Sequence, residues 1–106
     1  MKLETFSKNE RSLLLYFESR AVDHSGAVHT QHMNAEDMQL AALWHDNGFV
    51  RFGRISSDCL PMPSGSTHWC ELSESAWLLA AEERRSRYLR GFANRRWTST
   101  EEKRSA

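Results

Sequence analysis

Apolar residues recur at helical spacing in three stretches of the chain and at strand spacing in two. Leu13, Leu14, Phe17 and Ala21 mark one face of a first helix. Its start is a capping box with Ser7 as N-cap and Glu10 reaching back, and Asp23–Gly26 supplies the turn chemistry that ends it. The stretch Ala27-Val28-His29-Thr30 reads as a brief extended segment. A second helix follows Asn34, a good N-cap, with Glu36 and Asp37 in the first turn where negative charge suits the dipole. Met38, Leu40, Ala41, Ala42, Leu43 and Trp44 give it a broad apolar surface, and Asn47-Gly48 closes it. The period then drops to two. Residues Phe49–Ile55 predict a strand with Val50 and Phe52 on one face and Arg51 on the other.

Ser56–Ser66, which holds both prolines and Gly65, predicts a loop. In Thr67–Leu72 the alternation resumes, placing Cys70 and Leu72 on one face and Trp69 and Glu71 on the other, so the two strands make an antiparallel hairpin. Ser73 caps a third helix in which Trp77, Ala80, Ala81, Tyr88 and Leu89 return at helical intervals, with Gly91 expected to break or kink it. Trp44 and Trp77 are expected in the core. The pattern contains no repeat and no domain boundary: residues 1–97 form one domain and residues 98–106, rich in Ser, Thr, Glu, Lys and Arg, a flexible tail.

Composition narrows the class. A chain of 106 residues, 40% hydrophobic and 26% charged, is an ordinary small globular protein. Fourteen Lys and Arg balance fourteen Asp and Glu, which argues against a generic nucleic-acid or membrane-surface binder. Apolar runs such as Leu13–Phe17 fall far short of the ~20 residues of a spanning helix, and Met1–Thr5 lacks the apolar stretch of a signal peptide. With two cysteines, Cys59 and Cys70, the expectation is a cytoplasmic protein with reduced thiols.

The distribution of charge says more than its total. Residues 1–48 carry four Lys and Arg against seven acids, leaving −3, and residues 49–106 carry ten against seven, leaving +3. The segment Asn34–Asn47 holds Glu36, Asp37 and Asp46 and no Lys or Arg, a poor composition for a helix entering a groove lined by phosphates. Arg84, Arg85, Arg87 and Arg90, then Arg95 and Arg96, run without an intervening acid and alternate with Tyr88, Phe92 and Trp97. Arginine among aromatics is the composition of protein interface hot spots and also of phosphate contacts, while a solvated helix end favoured by the dipole is the plain alternative. Trp69 is expected partly exposed beside His68, as an interface anchor or under cover of the last helix. The loop tip Leu60-Pro61-Met62-Pro63 suits insertion into a partner or a pinned turn.

Catalytic and metal chemistry find little support. His29 and His32 form one His-x-x-His pair without the further ligands that zinc needs, so no metal or cofactor is expected. Glu36 and Asp37 are adjacent, about 100° apart on a helix, and make no facing acid–base pair. No phosphate-binding glycine loop or nucleophile elbow is present. The chain reads as a non-enzyme.

The order helix, short strand, helix, strand, loop, strand, helix resembles a winged helix, an α+β fold in which Asn47-Gly48-Phe49-Val50 leads from a helix into the β-hairpin wing. Only one helix fits between Gly26 and Gly48, where a winged helix packs two. Met33-Asn34-Ala35-Glu36-Asp37, Gly48–Ile55 and Thr67–Trp77 are similar to small phage and prophage proteins. That resemblance implies a mobile-element origin, a bacterial cytoplasm and an inhibitor of host machinery, anti-CRISPR proteins being the first example. The expected partner is then a host protein, such as a Cas subunit, met either by Glu36, Asp37 and Asp46 as phosphate mimics or by the Arg-aromatic stretch. The alternative is a winged-helix DNA-binding regulator that grips the backbone through Arg51, Arg54 and the C-terminal arginines.

Overall fold

A computed structural model of the chain describes residues 2–62 and 65–94; the expected tail, Trp97 and the arginines at 95 and 96 lie outside the described residues. Among the described residues, three α-helices and a three-stranded antiparallel sheet form an α+β fold. Helix α1 spans Lys8–Asp23, strand β1 Ala27–Val28, helix α2 Ala35–Asn47, strand β2 Val50–Arg54, strand β3 His68–Leu72 and helix α3 Glu74–Asn94. The elements follow the expected order, with a 3-10 turn, Thr30–His32, between β1 and α2.

The helix starts follow their side-chain chemistry. Ser7 Oγ accepts the Glu10 N–H at 3.1 Å while Glu10 accepts the Ser7 N–H at 3.0 Å. Asn34 and Asp37 repeat the device at α2, with 2.8 Å and 3.2 Å between the reciprocal partners. Ser73 Oγ accepts the Ala76 N–H at 3.1 Å and starts α3. At the far end of α2 Gly48 takes φ 78°, a left-handed conformation that costs glycine nothing and turns the chain directly into β2.

β3 is the central strand. It pairs with β2 in the register Val50↔Leu72, Phe52↔Cys70 and Arg54↔His68, and with β1 through Ala27↔Trp69 and Val28↔His68. The hairpin expected from the alternation is therefore extended by a third strand, which satisfies the outer edge of β3. Val28, Val50, Cys70 and Leu72 point from the sheet into a core shared with Leu13, Leu14 and Phe17 of α1 and with Ala41 and Trp44 of α2. Phe6, Trp44 and Phe49 form an aromatic cluster at its base, with Trp44 edge-on to Phe49 at 5.2 Å and to Phe17 at 6.3 Å between centroids.

The third helix differs from its sequence expectation in two ways. It runs through Gly91 without a break, reaching Asn94. Its inward face is Ala76, Leu79, Ala80 and Glu83, so Trp77 is not a core residue: it is 38% exposed. Positions 76, 79, 80 and 83 share one face at about 100° per residue, and Trp77, one step on from Ala76, is turned outward. Both faces of this helix carry apolar residues, which is why the spacing alone misplaced its register.

Candidate functional site

Helix α3 packs antiparallel on α1. Arg84 lies by Glu18, with Nε 2.8 Å from Oε1, and Arg87 Nη2 donates to Ser12 Oγ at 3.2 Å nearer the start of α1. That contact buries one side of the helix and leaves the other without cover among the described residues. On the uncovered side Trp77, Ala81 and Tyr88 fall together with Leu78, Leu89 and Phe92 in an arc of about 120° at 100° per residue, running ~22 Å along the axis. Leu78 is 65% exposed, Tyr88 60% and Leu89 51%. Tyr88 and Phe92 touch, their ring centroids 6.0 Å apart. Arg85 stands in the middle of this arc, exposed and with no ion pair among the described residues. An apolar helix face of this length, holding two aromatics in contact and one central guanidinium, has the make-up of a protein interface core.

A shallow groove extends the face toward α1, where Val22, 65% exposed, lies beside Trp77 and Ala81 with the Arg84–Glu18 pair at its edge. Arg84 is thereby committed within the protein. Arg87 and Arg90 are turned to the opposite side, onto the buried carboxylate of Glu83. Of the four arginines expected to act together, only Arg85 belongs to the apolar face.

The acidic candidates do not converge. Asp37 is held by its capping box, Glu36 accepts from Asn9 Nδ2 at 2.9 Å, and Asp46 is exposed at the other end of α2, ~15 Å along the axis from Glu36. Trp69 is exposed, as expected, on the sheet face opposite Cys70, and its indole lies against Gly53. It is far less exposed than Leu78 or Tyr88. In the loop, Leu60 and Met62 are half-buried and Pro61 exposed, while Pro63 lies outside the described residues. His29 and His32 do approach, their rings 5.4 Å apart, but no group of three His, Cys, Asp or Glu that would hold a metal occurs among the described residues.

The plain alternative for the arginine stretch, a helix end with Glu82 and Glu83 pairing nearby, places Glu83 beside Arg87 but on a solvated surface. Glu83 is instead fully buried and collects Arg11 as well as Arg87 and Arg90. The signal for its burial is its phase: it continues the 76, 79, 80 spacing that the inner face follows. Val22 escaped the sequence reading: it lies in the last turn of α1, where exposure cannot be read from type.

No helix among the described residues is long and apolar enough to cross a membrane. No protein-family model matches the chain, and no curated protein or solved structure is significantly similar to it.

Proposed function

We propose that the protein acts by binding another protein through the outer face of α3, and not by catalysis. The observation that carries this reading is the row Trp77, Leu78, Tyr88, Leu89 and Phe92, exposed on a helix whose opposite side is already packed. Burying several such side chains together contributes roughly 25 cal/mol per Å² of apolar area, a gain set against the cost of association that an isolated exposed leucine does not meet. The partner's surface would be apolar with a carboxylate opposite Arg85, since a guanidinium buried without a counter-charge is costly. The resemblance to small phage and prophage proteins directs the reading further, toward a host complex in the bacterial cytoplasm and inhibition by steric block, with a Cas complex as the first candidate; that step rests on the resemblance alone.

DNA reading by α2 is disfavoured by its chemistry. The helix has no Lys or Arg, and His45, its one basic side chain, is occupied: Nδ1 accepts the Phe52 N–H at 3.1 Å.

The test is a tagged pull-down from host lysate with and without nuclease, comparing the native chain with Leu78→Glu/Leu89→Glu. Both leucines are exposed, so the double variant keeps its core. A stoichiometric protein partner that survives nuclease and is lost with the variant supports the reading, and Cas subunits in that fraction would identify the target class. Loss of all partners on nuclease treatment, or a partner held equally by the variant, rejects the α3 face.

A further inference from the structure

On the side of α3 turned away from the apolar face, a cleft of about 450 Å³ opens toward the first turns of α1. Lys8, Arg11 and Ser12 line it from α1, and Glu83, Arg87 and Arg90 from α3. Four cations face one carboxylate, a local charge of +3 in a chain whose formal net charge is zero.

Glu83 explains how the guanidiniums are gathered. Its Oε2 accepts from Arg87 Nε at 2.5 Å and from Arg90 Nη2 at 3.4 Å. Its Oε1 is buried without a hydrogen bond, the Arg11 Nη1 standing 3.7 Å away. Arg11 is fixed from behind, Nε donating to the Phe6 carbonyl at 3.2 Å and Nη2 to the Leu3 carbonyl at 3.0 Å. One buried carboxylate thus orients Arg87 and Arg90, faces Arg11, and neutralises only one of the three guanidiniums. Arg90 is held by a single long contact, and Lys8 has no ion pair among the described residues. Donors of both therefore remain available at the mouth of the cleft.

Convergent guanidiniums with unused N–H groups match an oxyanion that offers several acceptor oxygens in fixed geometry. A dianion offsets the excess better than a carboxylate does. We infer that this cleft binds a small oxyanion of the phosphate class, either free phosphate or the terminal phosphate of a monoester, with Arg90, Arg87 and Lys8 as the contacting residues and Glu83 as the positioning residue. The site is independent of the partner face on the other side of α3.

Calorimetric titration and thermal melting of the full chain test this at constant ionic strength, with inorganic phosphate, O-phosphoserine, acetate and chloride as probes. The comparison variant is Lys8→Gln/Arg90→Gln. Both side chains are solvent-exposed, and Arg11 and Arg87 still compensate Glu83, so its melting in chloride serves as the folding control. Saturable binding of phosphate or phosphoserine, with a melting rise that chloride and acetate do not give, is expected, weakening at least about tenfold in the variant. Preference for inorganic phosphate would identify the free anion, and preference for phosphoserine the monoester. No saturable binding, equal binding of acetate, or unchanged binding in the folded variant would overturn the assignment. Loss of the protein partner in the α3-face variant would leave this titration unaffected, so the two readings fail separately.

Discussion

The indole of Trp69 occupies the space that a side chain at Gly53 would need. The two residues are cross-strand partners in the β2–β3 register, and a Cβ built on Gly53 would lie 2.9 Å from Trp69 Cζ2 and 3.1 Å from Nε1. Glycine at this position is what lets a large ring settle on the outer surface of a narrow sheet. The partial exposure of Trp69 is thus the remainder left after an internal contact.

Gly53→Ala is accordingly expected to displace the ring. The collision is with the body of the indole, so the whole side chain must rotate, at a cost of about 1–2 kcal/mol in stability. The backbone ¹H–¹⁵N spectrum reports it through the indole N–H of Trp69, which should shift more than those of Trp44 and Trp77. An unmoved Trp69 resonance with unchanged stability would mean the ring does not rest on Gly53.

Glu83 carries a second expectation, on the folding of α3. Removing its carboxylate leaves Arg11, Arg87 and Arg90 facing one another without a counter-ion. Breaking a buried pair costs about 3–5 kcal/mol, but Arg87 and Arg90 are half-exposed and regain water, so Glu83→Ala should cost roughly 2–3 kcal/mol. Urea denaturation measures it, and a loss under about 0.5 kcal/mol would show the cluster to be a surface network of little consequence.

Much of this architecture is legible in single residues. Ser7 with Glu10, Asn34 before Asp37, Ser73 and Gly48 mark three helix starts and one stop because capping is a local interaction, decided within a few residues of sequence. The faces of β2 and β3 are equally legible, since only one face of the sheet meets the core and Cys70 and Leu72 alternate with Trp69 and Glu71. The register of α3 was hidden for the opposite reason. Trp77, Tyr88 and Leu89 are apolar and regularly spaced but face outward, while Glu83, a charged residue, completes the buried side. The pair Glu83–Arg87 is local, four residues apart on α3, but the approach of Arg11 from α1 is long-range and no local pattern encodes it. The pairing of β1 with β3 and the 3-10 turn at Thr30–His32 are set by the same kind of long-range contact, including the Tyr16 hydroxyl that donates to the His29 carbonyl at 2.8 Å.

His68 gives the fold a dependence on pH with a definite sign. Its ring stacks on Phe52, centroids 5.1 Å apart, and burial, with Arg54 adding to it, lowers its pKa from the ordinary 6.5. The unfolded chain then binds this proton more readily than the folded one. The contribution of His68 to stability is complete above pH 6.5 and is lost as the pH falls through the lowered folded value. Urea midpoints between about pH 5 and about pH 7.5 should rise less steeply for His68→Gln than for the native chain. Parallel slopes would remove His68 from the account.

The two thiols should separate cleanly in reactivity. Cys59 is exposed in the 3-10 turn after β2, whereas Cys70 is buried in β3. Cys70 Sγ–H points to the Phe17 carbonyl at 3.6 Å, and burial pushes its pKa up to about 11 against the opposing pull of Arg20. Alkylation proceeds through the thiolate, so near neutral pH Cys70 is protected twice, by lack of access and by lack of charge. Iodoacetamide treatment of the folded protein is expected to modify Cys59 alone, with Cys70 reacting only when the core opens, at a rate that rises with urea in step with unfolding. Peptide mass mapping distinguishes the two. Comparable labelling of both cysteines in the absence of denaturant would show that β3 opens locally and that the strand at the centre of the sheet is not the most protected part of the fold.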